Sequence, residues 1–162
     1  MAFAGGIKMR ALILWVGLER MPQWRMDCVE SLTHFHPNLD IDFTWIEKHM
    51  ERPTDYAGYA RWMYCKSNKY RLWVDSDIEL LAPLPLTEEP FFAFEGGGPH
   101  HSILWSGNNP EYFDMPNLFW GRIAKKVTKT VKPKGLYRHW QTGPNGERVP
   151  RTNYGYKPED FI

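Results

Sequence analysis

From Arg10 to Val16 the chain is a nearly continuous apolar run, the pattern of a strand buried on both faces. Pro22 follows, and Trp24, Cys28, Leu32 and Phe35 then recur at helical spacing, which predicts a helix that Pro22 opens and His36-Pro37 stops. Ile41, Phe43 and Trp45 alternate with polar residues and predict a half-buried strand. Thr54-Asp55 offers a cap for a second helix running to about Ser67, and the apolar stretch ending at Val74 predicts a third strand. Strand, helix, strand, helix, strand implies right-handed crossovers and a mostly parallel sheet with helices on its faces, an α/β fold. Ligands of such sheets bind beyond the carboxyl ends of the strands.

After Leu80 the pattern changes. Pro83, Pro85 and Pro90 break the chain, Phe91 to Phe94 and Ile103 to Trp105 predict short strands, and Glu95-Gly96-Gly97-Gly98-Pro99 predicts a flexible loop between them. The triglycine lacks the spacing and the strand-to-helix setting of a phosphate cradle. Pro116 predicts a last helix through Val127 with Leu118, Phe119 and Ile123 inward. From Lys134 onward, repeated Gly and Pro predict an irregular C-terminal tail.

With 162 residues the chain is expected to form one domain, residues 8–80 making its nucleotide-binding part and residues 81–162 its acceptor-side part. A hydrophobic share of 43% argues for a folded globule, and no apolar run approaches the ~20 residues of a membrane span. No basic start and no apolar core precede Ile7, so a secretory leader is not expected. Cys28 and Cys65 lack metal or redox spacing, and two small core thiols in a reducing cytoplasm are the expectation.

The chemistry concentrates in Arg71-Leu72-Trp73-Val74-Asp75-Ser76-Asp77, where a strand runs out onto two carboxylates. Extended backbone alternates faces with period two, so Asp75 and Asp77 project from one side and share a hard cation such as Mg2+ or Mn2+. An acidic pair at a strand end is also the ordinary chemistry of a solvated turn.

The flanks discriminate. Arg61-Trp62-Met63-Tyr64 precedes the strand and Ala82-Pro83-Leu84-Pro85-Leu86 follows it, and the whole resembles the DXD segment of nucleotide-sugar glycosyltransferases with a GT-A fold. Phe91-Phe92-Ala93-Phe94-Glu95 and Ser102 to Glu111 are similar to the region after the acidic pair in the family of yeast-type mannosyltransferases, galactosyltransferases and glucosylating toxins. Leu14-Trp15-Val16-Gly17 resembles that family's first strand, and the match spans about residues 8 to 115.

The resemblance implies a metal-dependent transferase acting on a nucleoside diphosphate sugar, a UDP-sugar, with Asp75 and Asp77 on the metal and Asp75 also at the ribose. It implies base and donor contacts from Trp15, Val16, Gly17, Arg61 and Asn108, with Arg61 also in a catalytic role. His139 resembles the C-terminal histidine that supplies a third metal ligand, and Lys157 a Gly-Lys-Pro lysine that meets the diphosphate. Two departures stand out. Gly58 occupies the position of an Asp three residues before the Arg, the nearest carboxylate being Asp55, and Asn68-Lys69-Tyr70 replaces a Gly-Gly before the strand.

Other features compete for a role. His100-His101 offers imidazoles after the glycine loop, but neighbours in extended chain point opposite ways, so at most one is expected to reach the site. Among eight Trp, Trp105 and Trp140 lie near predicted loops and are the better candidates for stacking on a sugar. Residues 122–151 carry a net charge of +8 against −7 for the remainder, which fits an anionic partner: the donor diphosphate, an acidic acceptor or nucleic acid, the last without a motif behind it. No carboxylate is placed as nucleophile or base, and Glu111 and Asp114 are the nearest unassigned candidates.

Three alternatives remain beside the transferase. A nucleotide-sugar-binding, inhibitory or assembly module would keep the crevice and lack the chemistry. A phosphatase built on Asp-x-Asp wants Thr or Val soon after the second Asp, which is missing here. A helix-loop-helix calcium site is disfavoured by Leu80 at the position that needs Gly.

Overall fold

The computed structural model describes residues 8–114, 126–152 and 155–162. The expected helix from Pro116 therefore lies almost wholly outside the described residues, except that Val127 is buried. The chain begins with β1 (Arg10–Val16), α1 (Gln23–Phe35), β2 (Asp40–Ile46), α2 (Pro53–Ser67) and β3 (Arg71–Val74), as the hydrophobic pattern predicts. There follow β4 (Ile78–Leu80), β5 (Phe91–Glu95), β6 (Gly98–Trp105), β7 (Lys129–Val131), β8 (Tyr137–Thr142) and β9 (Arg148–Pro150), with short 3-10 turns at Pro110–Phe113 and Pro158–Phe161.

Six strands form a mixed, mostly parallel sheet in the order β2-β1-β3-β6-β5-β7, in which β6 alone runs against its neighbours. The alternation of side chains along β1 divides the core in two. Ala11 and Ile13 join Leu32 of α1 on one face, while Leu12 and Leu14 pack with Trp62 and Cys65 of α2 on the other. Cys28 and Cys65 are buried free thiols, and burial pushes both up to about 12, which keeps them protonated.

Four expectations change. Phe43 and Trp45 of β2 are exposed rather than inward, because β2 is the sheet's edge and the apolar cluster reaches only as far as Ile41. The triglycine is a tight hairpin turn joining β5 to β6, with Gly96 and Gly97 at φ of 61° and 79°, a pair of left-handed positions that favours glycine. The C-terminal tail is not irregular throughout. β8 pairs antiparallel with β4 and with β9, so its strand character comes from partners far away in sequence, while glycine and proline crowd its flanks.

Tyr70 is the fourth. It stands in the stretch Asn68-Lys69-Tyr70 before β3 and adopts φ 59° itself. Left-handed backbone costs a non-glycine residue about 1 kcal/mol or more. Here the ring is buried against Trp105 and its hydroxyl donates to Glu88 at 2.7 Å, contacts that offset the strain.

Candidate functional site

The site gathers where β3, β5, β6 and β8 bring their ends together. Beyond Val74 the chain turns: the Asp75 amide donates to the Ser102 carbonyl at 2.9 Å, and the Ile78 amide reaches back to the Asp75 carbonyl at 3.1 Å. Because β6 runs antiparallel to β3, pairing Val74 with Ile103 carries His100, His101 and Ser102 alongside the acidic turn. The pairing of Ile78 with His139 in β8, and the Trp140 amide donating to the Asp77 carbonyl, bring in the histidine. Glu95 arrives on the last residue of β5.

Asp75 is fixed through one oxygen. Its Oδ1 accepts from the Trp73 indole at 2.7 Å and from Arg61 Nη2 at 3.2 Å. Arg61, on the buried face of α2, lies over the Trp73 ring and donates through Nη1 to His101 Nδ1. Burial and the Arg61 charge push His101 down to about 3, so it is a neutral acceptor.

Asp77 sits among cations. Burial would raise its carboxyl pKa, but His139, Arg25 and Arg151 hold it below the usual range. Nε2 of His139 lies 3.1 Å from Oδ1, and this buried oxygen has no hydrogen-bond partner among the described residues. The other oxygen accepts from Arg151 at 3.4 Å.

Behind His139 stands Glu95, whose carboxylate is fully buried. It accepts from Ser102 Oγ at 2.6 Å, from His139 Nδ1 at 2.9 Å and from the Tyr156 hydroxyl, with His100 Nδ1 3.1 Å away. Burial works against the charge, but His100, His139 and Ser102 keep the carboxyl well below its ordinary range. With Nδ1–H committed to Glu95, Nε2 of His139 is turned toward the aspartates. Burial opposes a charge on this imidazole and Asp77 and Glu95 favour it, with a net rise to about 9, so a proton competes for Nε2. Arg151 Nη2 is 2.8 Å from that nitrogen, and two N–H groups cannot face each other so closely. In this arrangement Nε2 is therefore an acceptor.

One carboxylate oxygen of Asp75, one of Asp77 and a ring nitrogen of His139 lie within 4.8 Å of one another. Two hard oxygens and an imidazole suit Mn2+ or Mg2+, and the unpaired Asp77 oxygen is a group that such an ion would satisfy. Glu95 orients the histidine from behind, the usual support of a metal-bound imidazole. The cluster forms the floor of a cavity of about 1040 Å³ whose wall is the face of α2 carrying Asp55, Gly58, Tyr59 and Arg61.

The expected residues divide. Arg61, Asp75, Asp77 and His139 share this cavity. Trp15, Val16 and Gly17 do not line it: the Gly17 carbonyl accepts from Trp45 at 2.8 Å, and Arg25 stands between Trp15 and the acidic turn, 5.3 Å from the Trp15 ring and 2.7 Å from Ser76 Oγ. Asn108 lines a separate cavity of about 340 Å³ beside Glu88. Lys157 is exposed at the head of the last 3-10 turn, and its neighbour Tyr156 is the residue that points inward. Trp105 is fully buried with its indole donating to Thr87, and Trp140 packs between Arg148 and Phe161, so both are structural rather than open to a sugar. Asp114 lines the cavity, paired with Lys66 at 3.2 Å, and Glu111 does not.

Sequence reasoning passed over Glu95, Arg151 and Tyr156, and set His100 and His101 too low. Both histidines border the cavity, with rings stacked 5.0 Å apart. An acidic residue closing the aromatic run Phe91–Phe94 was the one legible signal for Glu95.

No helix among the described residues is long and apolar enough to cross a membrane. No protein-family model matches the chain, and no curated protein matches it. Among solved structures it is similar to the crystal structure of A197 from STIV, at 10% identity and a TM-score of 0.43 over 92% of this chain and 97% of that one. It is also similar to a glycosyltransferase involved in the glycosylation of the major capsid of PBCV-1, at 12% identity and a TM-score of 0.36 over 80% of this chain and 92% of that one. At these values the likeness transfers no residue role, and the functional reading comes from the site's own geometry.

Proposed function

We propose that the chain is a metal-dependent glycosyltransferase of GT-A-like fold that takes its sugar from a nucleoside diphosphate donor, a UDP-sugar. The observation that supports it most is the convergence of Asp75, Asp77 and His139 Nε2 on the floor of a cavity large enough for such a donor. A divalent ion, when bound, supplies the Lewis acid that offsets negative charge gathering on a departing diphosphate.

The chain's own side chains do the rest. Asp77 and His139 hold the ion's side of the site, and Glu95 fixes the imidazole with Nε2 facing inward. Asp75, clamped through Oδ1 by Trp73 and Arg61, presents its remaining edge to the ion or to a ribose hydroxyl. The Arg61 guanidinium, largely buried in the cavity wall, adds fixed positive charge that needs no rearrangement as anionic character grows.

A second reading has one observation in its favour. The two wall carboxylates are already paired, Asp55 with Arg52 at 2.9 Å and Asp114 with Lys66 at 3.2 Å, and no atom lies beside Gly58 among the described residues, so among these no unpaired wall carboxylate stands ready as a base. This fits a module that binds a nucleotide sugar without turning it over. Calorimetry with a panel of nucleoside diphosphate sugars, with and without Mn2+, followed by a donor-hydrolysis assay, separates the two. The transferase reading expects Mn2+-dependent binding and slow hydrolysis of one donor. Binding without hydrolysis points to the module, and absence of binding overturns both.

A further inference from the structure

Arg151 follows β9 and enters the same cavity, its side chain only 14% exposed. Nη2 contacts His139 Nε2 at 2.8 Å, Asp77 Oδ2 at 3.4 Å and the Trp140 carbonyl at 3.3 Å there. Two of these acceptors belong to the set that would hold a divalent ion. A guanidinium N–H and a metal cannot share the one lone pair of Nε2, and two cations a few ångströms apart in a largely buried site repel strongly.

We propose that Arg151 and a divalent cation are alternative occupants of one seat, and that the guanidinium displaced by the ion becomes the positive group that binds the donor's diphosphate. This rests on the transferase reading of the site. In the cation-free protein Arg151 balances the buried negative charge of Asp77, so the floor stays assembled while the ion is away.

The local structure suits such an exchange. β9 is a three-residue strand at the free edge of the small sheet, and Arg151 lies beyond its last pairing, Pro150 with Trp140. Little backbone structure has to break for the side chain to withdraw. The other cations on the cavity lining are committed, Arg61 to Asp75 and His101, and Lys66 to Asp114. Arg151 is the one that shares two acceptors, Asp77 and His139, with the metal set, so that an ion would leave its charge beside the position where a diphosphate meets the ion.

The test is Mn2+ titration of the full chain, followed by electron paramagnetic resonance, in the wild type and in Arg151→Met, which keeps the reach and removes the charge. Removing a competing charge-assisted contact should tighten Mn2+ binding about tenfold. In saturating Mn2+, the same variant should bind UDP about tenfold more weakly. Labelling of wild-type arginines with phenylglyoxal, read by mass spectrometry, needs no variant and should show Arg151 protected alone and modified faster with Mn2+.

Equal Mn2+ affinity in the two proteins, or Arg151 labelling indifferent to Mn2+, overturns the exclusion and leaves the transferase reading standing. Tighter Mn2+ binding with unchanged UDP affinity overturns the diphosphate role. If neither protein binds Mn2+, the cation seat itself is wrong and both readings fall together.

Discussion

Asp77→Ala is expected to abolish Mn2+ binding and donor turnover together, with turnover falling about a thousandfold or more as the several kcal/mol of charge stabilisation from the ion are lost. The reason is specific to this side chain. Among the described residues, one of its oxygens is buried with no hydrogen-bond partner, 3.1 Å from the histidine nitrogen, and the other is held only by a long contact to Arg151. Asp75 is different. Both its hydrogen bonds come from within the fold, so its geometry is set whether or not an ion is present.

Removing Asp77 also leaves Arg25 and Arg151 without a shared counter-charge, and the alanine variant is expected to lose stability as well as activity. Asp77→Asn preserves the shape and separates the effects. It should remain folded by circular dichroism while Mn2+ affinity and hydrolysis collapse. Unchanged hydrolysis in a folded Asp77→Asn protein would contradict the metal role.

Glu95→Gln is expected to weaken Mn2+ binding 10- to 100-fold, in the range found for the outer partners of metal-bound histidines, although Glu95 is not itself in the proposed coordination set. Glu95 accepts hydrogen bonds from Ser102, His139 and Tyr156, with His100 close by. An amide offers a single acceptor oxygen and turns an NH2 toward groups that now donate. His139 then loses the bond that keeps Nε2 facing Asp77, and a buried carboxylate network is left partly unsatisfied. We expect a cost of about 3 kcal/mol from that loss, seen as a lower midpoint in denaturant titration. Mn2+ affinity equal to wild type in the folded variant would show that Glu95 does not align the histidine.

What the sequence disclosed follows the range of the forces involved. β1, α1, α2 and β3 were legible because their signals are local: an apolar run, a 3.6-residue repeat, and proline and polar residues at the ends. β8 was not, since its strand geometry is imposed by β4, more than fifty residues earlier, and the neighbouring glycines and prolines point the other way. The acidic pair was visible as a pattern of adjacent residues. Its support was not: Glu95 on β5, His100 on β6 and Arg151 after β9 become neighbours only when those strand ends converge.

The converse also holds. Asn108 and Lys157 answered a linear motif, yet the fold sets Asn108 beside Glu88 and leaves Lys157 on the surface. His100 and His101 were judged by the alternation of an extended chain. Both border the cavity nonetheless, His100 3.1 Å from Glu95 and His101 bonded to Arg61, because the β5–β6 pairing shifts register between Phe92–Leu104 and Ala93–His100 and breaks the alternation there.

The central claim is that Asp77 and His139 hold a divalent cation. Anomalous diffraction at the manganese edge, from crystals grown with MnCl2 and UDP, tests it most directly. The account predicts one strong peak touching the Asp77 carboxylate and Nε2 of His139, with the Arg151 guanidinium withdrawn. A map with no manganese at that position, and Arg151 still bonded to His139, would contradict it.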